Sequence, residues 1–149
     1  MKPETALVWD PIKKELDRLG WHYQRFEDKL SPGIPDLNIC IPAMCRICGS
    51  QEWWLELKWL ASLPEKLGST PVVVGLRKEQ RLWLRAAARA GRNCAVVCRV
   101  AGMWWVWPVK SEADADTLYE GKRWSVLRSI GHQAQSPEHL MGRLSQGLF

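Results

Sequence analysis

Hydrophobic positions in the first segment of the chain follow the period of an α-helix. They recur at intervals of three and four residues, which predicts a helix over residues 3–19. The pair Asp10–Pro11 has the form of a helix start, so the segment is either one kinked helix or a turn followed by a helix. Gly20 is suited to end this helix. The apolar positions are Val8, Ile12, Leu16 and Leu19.

Strand-type alternation follows. Residues 21–26 are predicted to form a first strand and residues 36–41 a second, with apolar side chains at alternate positions of the second. Residues 53–59 form the third predicted strand. One face of this strand carries Trp53, Leu55, Leu57 and Trp59, and the other carries Trp54, Glu56 and Lys58.

The second half of the chain alternates between the two periods. A helix is predicted over residues 76–90, a buried strand over 94–100, a hairpin partner over 103–109 and a helix over 112–120. The tail from Lys122 has only a weak pattern. This order predicts an α/β fold with a central mixed β-sheet flanked by helices.

Length and composition narrow the class of protein. A chain of 149 residues suits one domain with a core large enough to fold alone. We find no secretory signal and no apolar run near the ~20 residues of a membrane span, so we expect a cytoplasmic protein without membrane contact. The net charge of +5 permits a polyanionic partner but does not require one.

The five cysteines leave several interpretations open. In a cytosolic chain, reduced buried thiols are the default. Cys45 and Cys48 form a single CxxC with Cys40 nearby, which allows a structural zinc loop but lacks the second half of such a site. A disulfide or redox role is the remaining alternative.

The chemistry of the chain centres on Asp36, Glu56 and Lys58. Period-two geometry places Glu56 and Lys58 on one face, and Asp36 reaches the same point if its strand lies alongside. Two carboxylates and the backbone carbonyl of Leu57 form a hard oxygen site that suits Mg²⁺ or Mn²⁺. Such an ion activates water and neutralises phosphate charge, while Lys58 orients the nucleophile or stabilises the transition state. The alternative is a turn aspartate beside a solvated Glu–Lys pair.

Three strings in this chain occur in a characteristic order. They are Ser31-Pro32-Gly33-Ile34-Pro35-Asp36-Leu37-Asn38, Trp54-Leu55-Glu56-Leu57-Lys58 and Arg77-Lys78-Glu79-Gln80-Arg81-Leu82-Trp83-Leu84. Together with Ala90–Gly91 and a valine-rich strand, they resemble the VRR-NUC family of the PD-(D/E)xK nuclease superfamily. The resemblance covers roughly residues 3–107 and implies a restriction-endonuclease-like core. It places a nuclease domain at residues 1–109 and leaves residues 110–149 as a helical extension packed on that domain or on a partner chain.

The resemblance also implies roles for individual residues. Asp36 and Glu56 would be metal ligands, Lys58 the catalytic lysine, and Gln80 a helix glutamine that approaches the site. An acidic residue of the first helix would join the metal ligands. Glu4 fits by its distance from Gly20, and Glu15 is the competing candidate.

The implied activity is Mg²⁺- or Mn²⁺-dependent cleavage of DNA. Small single-domain members of the family occur in bacteriophages. These stand-alone members resemble Holliday junction resolvases, which cut four-way DNA, and act as homodimers. The compact single domain therefore suggests a phage or prophage origin. The aromatic hairpin residues Trp104, Trp105 and Trp107 exceed what one small core needs, and a dimer interface would bury the surplus. A tryptophan-rich core is the alternative interpretation.

A basic surface is predicted to hold the DNA backbone without reading bases. Arg25 and Lys29 would flank the site, and the second helix would present further cations, namely Arg77, Lys78, Arg81, Arg85, Arg89 and Arg92. A solvated helix face is the alternative for each of them. Two other functions remain open: a general or restriction-like duplex nuclease, and a non-catalytic DNA-binding scaffold with the nuclease fold.

Overall fold

A computed structural model of the chain describes residues 2–27, 32–43, 49–147 and 149. Its centre is a six-stranded mixed sheet in which the strands lie in chain order from β1 to β6. β3 and β4 run parallel, and the other neighbouring strands run antiparallel. The strands are β1 His22–Arg25, β2 Leu37–Ile41, β3 Gln51–Leu60, β4 Cys94–Val100, β5 Met103–Pro108 and β6 His132–Ala134.

Helices cover both faces of this sheet. A π-helical turn, Thr5–Trp9, leads into the first α-helix. The helices are α1 Asp10–Leu19, α2 Lys78–Arg89, α3 Glu112–Glu120, α4 Trp124–Ile130 and α5 Pro137–Ser145. The predicted fold class is therefore confirmed: the chain is α/β with a mixed sheet flanked by helices, compatible with a restriction-endonuclease-like core.

Two hydrophobic cores form because alternate residues of each central strand point to opposite sides of the sheet. Leu55 and Leu57 of β3 and Val97 of β4 pack with α1 and α5 on one side. Val96 and Cys98 of β4 pack with α2, α3 and α4 on the other. On this second side β3 contributes Glu56 and Lys58 between the apolar residues Trp54 and Leu60, so the polar site lies at the margin of a core.

The start of the first helix shows how the chain accommodates Pro11. Proline has no N–H to donate and its ring displaces the carbonyl four residues earlier, which belongs to Leu7. The chain forms a π-helical turn over Thr5–Trp9, and the Leu7 carbonyl accepts a 3.0 Å hydrogen bond from Arg99 Nη1. Residues 3–19 are therefore one continuous helix interrupted by a π-helical segment, which corresponds to the single-helix form of the two predicted.

The weakly patterned tail forms regular structure. A helical extension was predicted here without bounds for its elements, and α4 and α5 are helices of it. The strand β6 was not predicted, and it extends the sheet by pairing with β5. Trp124 of α4 packs edge-on against both Trp105 and Trp107. The aromatic hairpin is therefore covered by the chain's own C-terminal residues, and its tryptophans no longer argue for a dimer.

Some sequence predictions fall outside the described residues. The Cys45–Cys48 pair and Lys29 are among them. Of the described cysteines, Cys40, Cys94 and Cys98 are free thiols. No helix in the described part of the chain has the length and apolar character needed to cross a membrane.

Candidate active site

The two central carboxylates meet because β2 and β3 are paired in a fixed register. Leu37 lies opposite Leu55, which places Asp36, one residue before β2, across from Glu56. Asp36 Oδ2 accepts a 2.9 Å hydrogen bond from the backbone N–H of Leu57. The carbonyl of Leu57 points to the same side of β3 as its N–H, because both groups of one strand residue face the same neighbour. Asp36, Glu56 and the Leu57 backbone thus surround one end of the β2–β3 pair.

Glu56 is the most unusual charged residue of the structure. Its side chain is fully buried, yet only one of its two oxygens is bonded within the described residues. Oε1 lies 2.8 Å from Lys58 Nζ and also accepts from Gln80 Nε2, whereas Oε2 has no partner. Burial, reinforced by the charge of Asp36, raises the pKa of Glu56 to about 8, and the charge of Lys58 only partly opposes this.

Gln80 links α2 to this carboxylate. Its amide oxygen accepts a 2.9 Å hydrogen bond from the backbone N–H of Arg77, where the helix begins, and its amide nitrogen donates to Glu56. The side chain is 2% exposed and both ends of its amide are occupied. Gln80 therefore fixes the first turn of the helix and the orientation of Glu56 at the same time.

The loop that carries Asp36 is pressed against the start of α2 at Gly33. This residue has φ of 98°, and a Cβ there would lie 2.5 Å from the carbonyl oxygen of Glu79. Only glycine combines this backbone conformation with this approach. The loop and helix are thereby brought together at Gly33, three residues before Asp36, and at Glu79, which immediately precedes Gln80.

These residues open into a cleft of about 590 Å³. Glu4, in the helical turn that precedes Thr5, lines the cleft together with Asp36, Lys58 and Gln80. Burial raises the pKa of Glu4, an effect that Lys58 opposes and Asp36 reinforces. Glu15 does not line this cleft; it is paired with Arg18 on α1. The structure thus places Glu4 at the site and gives Glu15 another partner.

The fit of a divalent cation rests on Glu56. A buried carboxylate oxygen without a hydrogen-bond donor, beside a second carboxylate, is an environment that a hard cation would stabilise. Within the described residues, however, no three Asp, Glu, His or Cys side chains converge closely enough to hold a metal ion. The predicted three-carboxylate group of Glu4, Asp36 and Glu56 is therefore not assembled within the described residues. Asp36, Glu56 and the Leu57 carbonyl fit the cation as a smaller set.

Two of the predicted DNA-binding arginines line the cleft. Arg25 and Arg77 both border it, and Arg77 is exposed. The guanidinium of Arg25 lies 4.6 Å from the centre of the Trp9 ring and 2.8 Å from Glu27. Lys78 is exposed on the first turn of α2, outside the cleft lining. Arg25 and Arg77 therefore add positive charge to the walls of the cleft that Lys58 also lines.

The rest of the predicted basic surface requires a correction. Arg81 and Arg85 of α2 both bond Asp116 of α3, and Arg85 and Arg89 bond Glu112. These ion pairs link α3 to α2. The guanidinium carbon of Arg81 also lies 4.8 Å from the centre of the Tyr119 ring. We therefore withdraw Arg81, Arg85 and Arg89 from the predicted DNA surface, because carboxylates of this chain already compensate them.

Sequence reasoning missed several residues that line the cleft and one structural partner. Lys2 and Phe26 line the cleft, and no motif marks either of them. The role of Asp116 had a visible signal. Arg81, Arg85 and Arg89 recur every four residues, and Glu112 and Asp116 do the same, so the two helices carry matching rows of opposite charge.

Comparison with known proteins adds no family to this geometry. Neither the protein-family models nor the curated proteins gave a match to the chain.

Proposed function

We propose that this protein is a metal-dependent DNA endonuclease of the PD-(D/E)xK type, similar to the VRR-NUC family, that hydrolyses phosphodiester bonds in branched DNA. The observation that carries the proposal is the contact of the buried Glu56 with Lys58 and Gln80, which line one cleft together with Asp36. These residues come from separate parts of the chain, and the short Glu–x–Lys spacing alone would not bring them together. DNA binding alone would not require carboxylates that face a phosphate group, because two negative charges repel each other.

Asp36, Glu56 and the Leu57 carbonyl would hold Mg²⁺ or Mn²⁺, which supplies an activated water and neutralises charge at the phosphate. The chain's own residues prepare this site. Gln80 fixes the orientation of Glu56, and the 2.8 Å contact with Glu56 aims the ammonium of Lys58 at the same point. Lys58 then stabilises negative charge that develops on the phosphate oxygens.

Arg25 and Arg77 would bind backbone phosphates at the walls of the cleft. Since such contacts carry no sequence information, selection would depend on the shape of the DNA. A four-way junction cut by a homodimer remains the preferred substrate and assembly, on the resemblance alone.

The test is cleavage of four labelled DNAs, namely a four-way junction, a flap, a single strand and a plain duplex, each with Mg²⁺ or Mn²⁺. The unmodified protein is compared with Lys58→Ala and with Lys14→Ala, an exposed lysine of α1 that serves as the matched control. We expect cutting of branched DNA by the protein and by Lys14→Ala, and none by Lys58→Ala.

The remaining outcomes separate the alternatives. Equal cutting of plain duplex would indicate a general or restriction-like nuclease. DNA binding without cutting of any substrate would indicate a scaffold protein, and unimpaired cutting by Lys58→Ala would remove the lysine from the mechanism.

A further inference from the structure

Three aromatic side chains form a half-exposed strip beside the cleft. Phe26 stacks on Trp54 with their ring centres 5.5 Å apart, and Trp54 contacts Trp83 at 5.2 Å. The guanidinium of the exposed Arg92 lies 5.7 Å from the ring of Trp54 and 6.0 Å from that of Trp83. We call Phe26, Trp54 and Trp83 the aromatic strip.

The strip is continuous with the candidate active site. Phe26 lines the cleft itself. Trp54 precedes Glu56 by two residues in β3, so it lies on the same face about 6.5 Å along the strand. Trp83 follows Gln80 by three residues, about one turn further along α2. A strand of DNA that passes a phosphate through the cleft would have its next nucleotides beside these rings.

Packing alone does not explain these aromatic residues. Phe26 and Trp54 belong to neither hydrophobic core among the described residues, and Trp83 only borders the core beneath α2. The indole N–H of Trp54 is buried and finds no acceptor in the described part of the chain. A phenylalanine or leucine would pack there without that unpaired donor. Trp53 and Trp105 also have an unpaired indole N–H among the described residues, so this donor alone does not mark a site. The position of Trp54, between the cleft residue Phe26 and Trp83, is what indicates a ligand for the strip.

We propose that the aromatic strip binds the unpaired bases of a DNA strand whose backbone enters the cleft. The inference rests on the proposed function and narrows its substrate to DNA with unpaired nucleotides near the cut. Unpaired bases have free π faces that stack on aromatic rings irrespective of sequence, whereas in a continuous duplex these faces are covered by neighbouring bases. Arg92, whose guanidinium lies near the rings of both Trp54 and Trp83, supplies positive charge beside the strip for the phosphates of the strand.

The test is a binding measurement in EDTA, which separates recognition from cutting. Fluorescence anisotropy is recorded with a labelled oligothymidylate and with an abasic strand of the same length. Trp83→Leu should weaken binding of the oligothymidylate by about five- to a hundred-fold and leave binding of the abasic strand unchanged. The dependence of affinity on salt should keep its slope, because no phosphate contact is lost.

Two further variants and a control make the result specific. Phe26→Leu should act in the same direction, and Trp83→Phe should restore most of the affinity because it keeps an aromatic face. Trp59→Leu is the matched control. Trp59 is a half-buried tryptophan of β3, the strand that carries Trp54, and its ring packs on the opposite side of the sheet. It should leave the affinity for oligothymidylate unchanged.

Equal affinity of the unmodified protein for the two strands would overturn the inference. So would full affinity in folded Trp83→Leu and Phe26→Leu. If cutting in Mg²⁺ persists in either case, the nuclease stands without the strip. Base-dependent binding without any cutting would support the strip and remove the nuclease.

Discussion

Two groups of charged residues flank α2, and they differ in how their charges are compensated. Between α2 and α3, Arg81 and Arg85 bond Asp116, and these guanidiniums lower the pKa of its carboxyl. Beneath α2, Glu56 is buried, one of its oxygens has no hydrogen-bond partner in the described part of the chain, and its pKa is raised to about 8. The first group is balanced within the chain and holds two helices together. The second is incomplete without a ligand, which is the property expected of a site that acts on one.

The largest effect on cleavage should come from removing the carboxylate of Glu56. Glu56→Gln keeps the shape of the side chain but loses the carboxylate, so we expect cleavage of branched DNA to fall by about 100-fold or more. The matched control is Glu52→Gln, an exposed glutamate of the same strand. Rates are measured at saturating Mg²⁺. Equal losses of cleavage rate in the two variants would show that the buried carboxylate of Glu56 has no special role in cleavage.

The same variant has an opposite effect on folding. With a folded pKa of about 8 against an ordinary 4.5, Glu56 costs the metal-free protein stability progressively as pH rises between these values. Glu56→Gln should therefore unfold at the same temperature or higher at pH 8. A lower midpoint would mean that the carboxylate stabilises the fold.

Gly33→Ala should have the next largest effect, since it displaces the loop that carries Asp36. Its Cβ would lie 2.5 Å from the Glu79 carbonyl oxygen, and a shift of about 1 Å at a catalytic group costs about 100-fold in rate. Gly20→Ala is the control, because Gly20 also has positive φ but meets nothing within 4 Å. It should lower stability and spare the rate. Similar rates for the two variants would contradict the packing argument.

A smaller effect should distinguish the two kinds of arginine. Arg77→Ala removes a side chain that borders the cleft, whereas its backbone N–H still binds Gln80, so only phosphate binding is lost. We expect weaker binding to all DNA sequences and a salt slope reduced by about 1. Arg81→Ala should leave the slope unchanged. A reduced slope in Arg81→Ala would return the α2 arginines to the DNA surface.

The smallest effect on function should come from Asp116→Asn, which breaks the balanced group. Because the folded pKa of Asp116 is lowered, its contribution to stability is present above the ordinary value of 3.8 and is lost as pH falls through the lower folded pKa. The thermal midpoint should fall at pH 7, and the difference from the unmodified protein should vanish in strong acid. DNA cleavage at 25 °C should be unchanged. A difference that persists in strong acid would point to lost packing instead.

Much of the fold could be predicted from local pattern. The bounds of β4 at Cys94–Val100 and of α3 at Glu112–Glu120 match the prediction residue for residue. In both, the pattern is dense: β4 is almost entirely apolar, and Ser111 and Asp114 form a capping box at the start of α3. The alternation of period two in β3 likewise predicted which of its side chains lie on each face of the sheet.

The bounds of α4 and β6 could not be predicted because these elements are short. α4 has seven residues and β6 has three, too few for a period to be recognised. Their apolar residues make sense only against Trp105 and Trp107, which lie earlier in the chain. α5 did carry a helix signal, because Ser136 caps it and Pro137 follows in its first turn.

In the candidate site, the residues were foreseeable but their pairing was not. The motif pointed to Asp36, Glu56 and Lys58, but not to the unpaired Oε2 or to the donors that occupy Oε1. The partners of Arg81 and Arg85 lie some thirty residues further along the chain, at Asp116. Only tertiary structure decides whether such charges face a neighbouring helix or solvent.

The most direct test of the central claim is a calorimetric titration of Mn²⁺ into the metal-free protein and into Glu56→Gln. If Glu56 is a metal ligand, the unmodified protein should have a saturable Mn²⁺ site, and the affinity of this site should be more than about tenfold lower in the variant. Equal affinity in the two proteins, or no saturable site in the unmodified one, would contradict the assignment of this cleft as a metal-dependent active site.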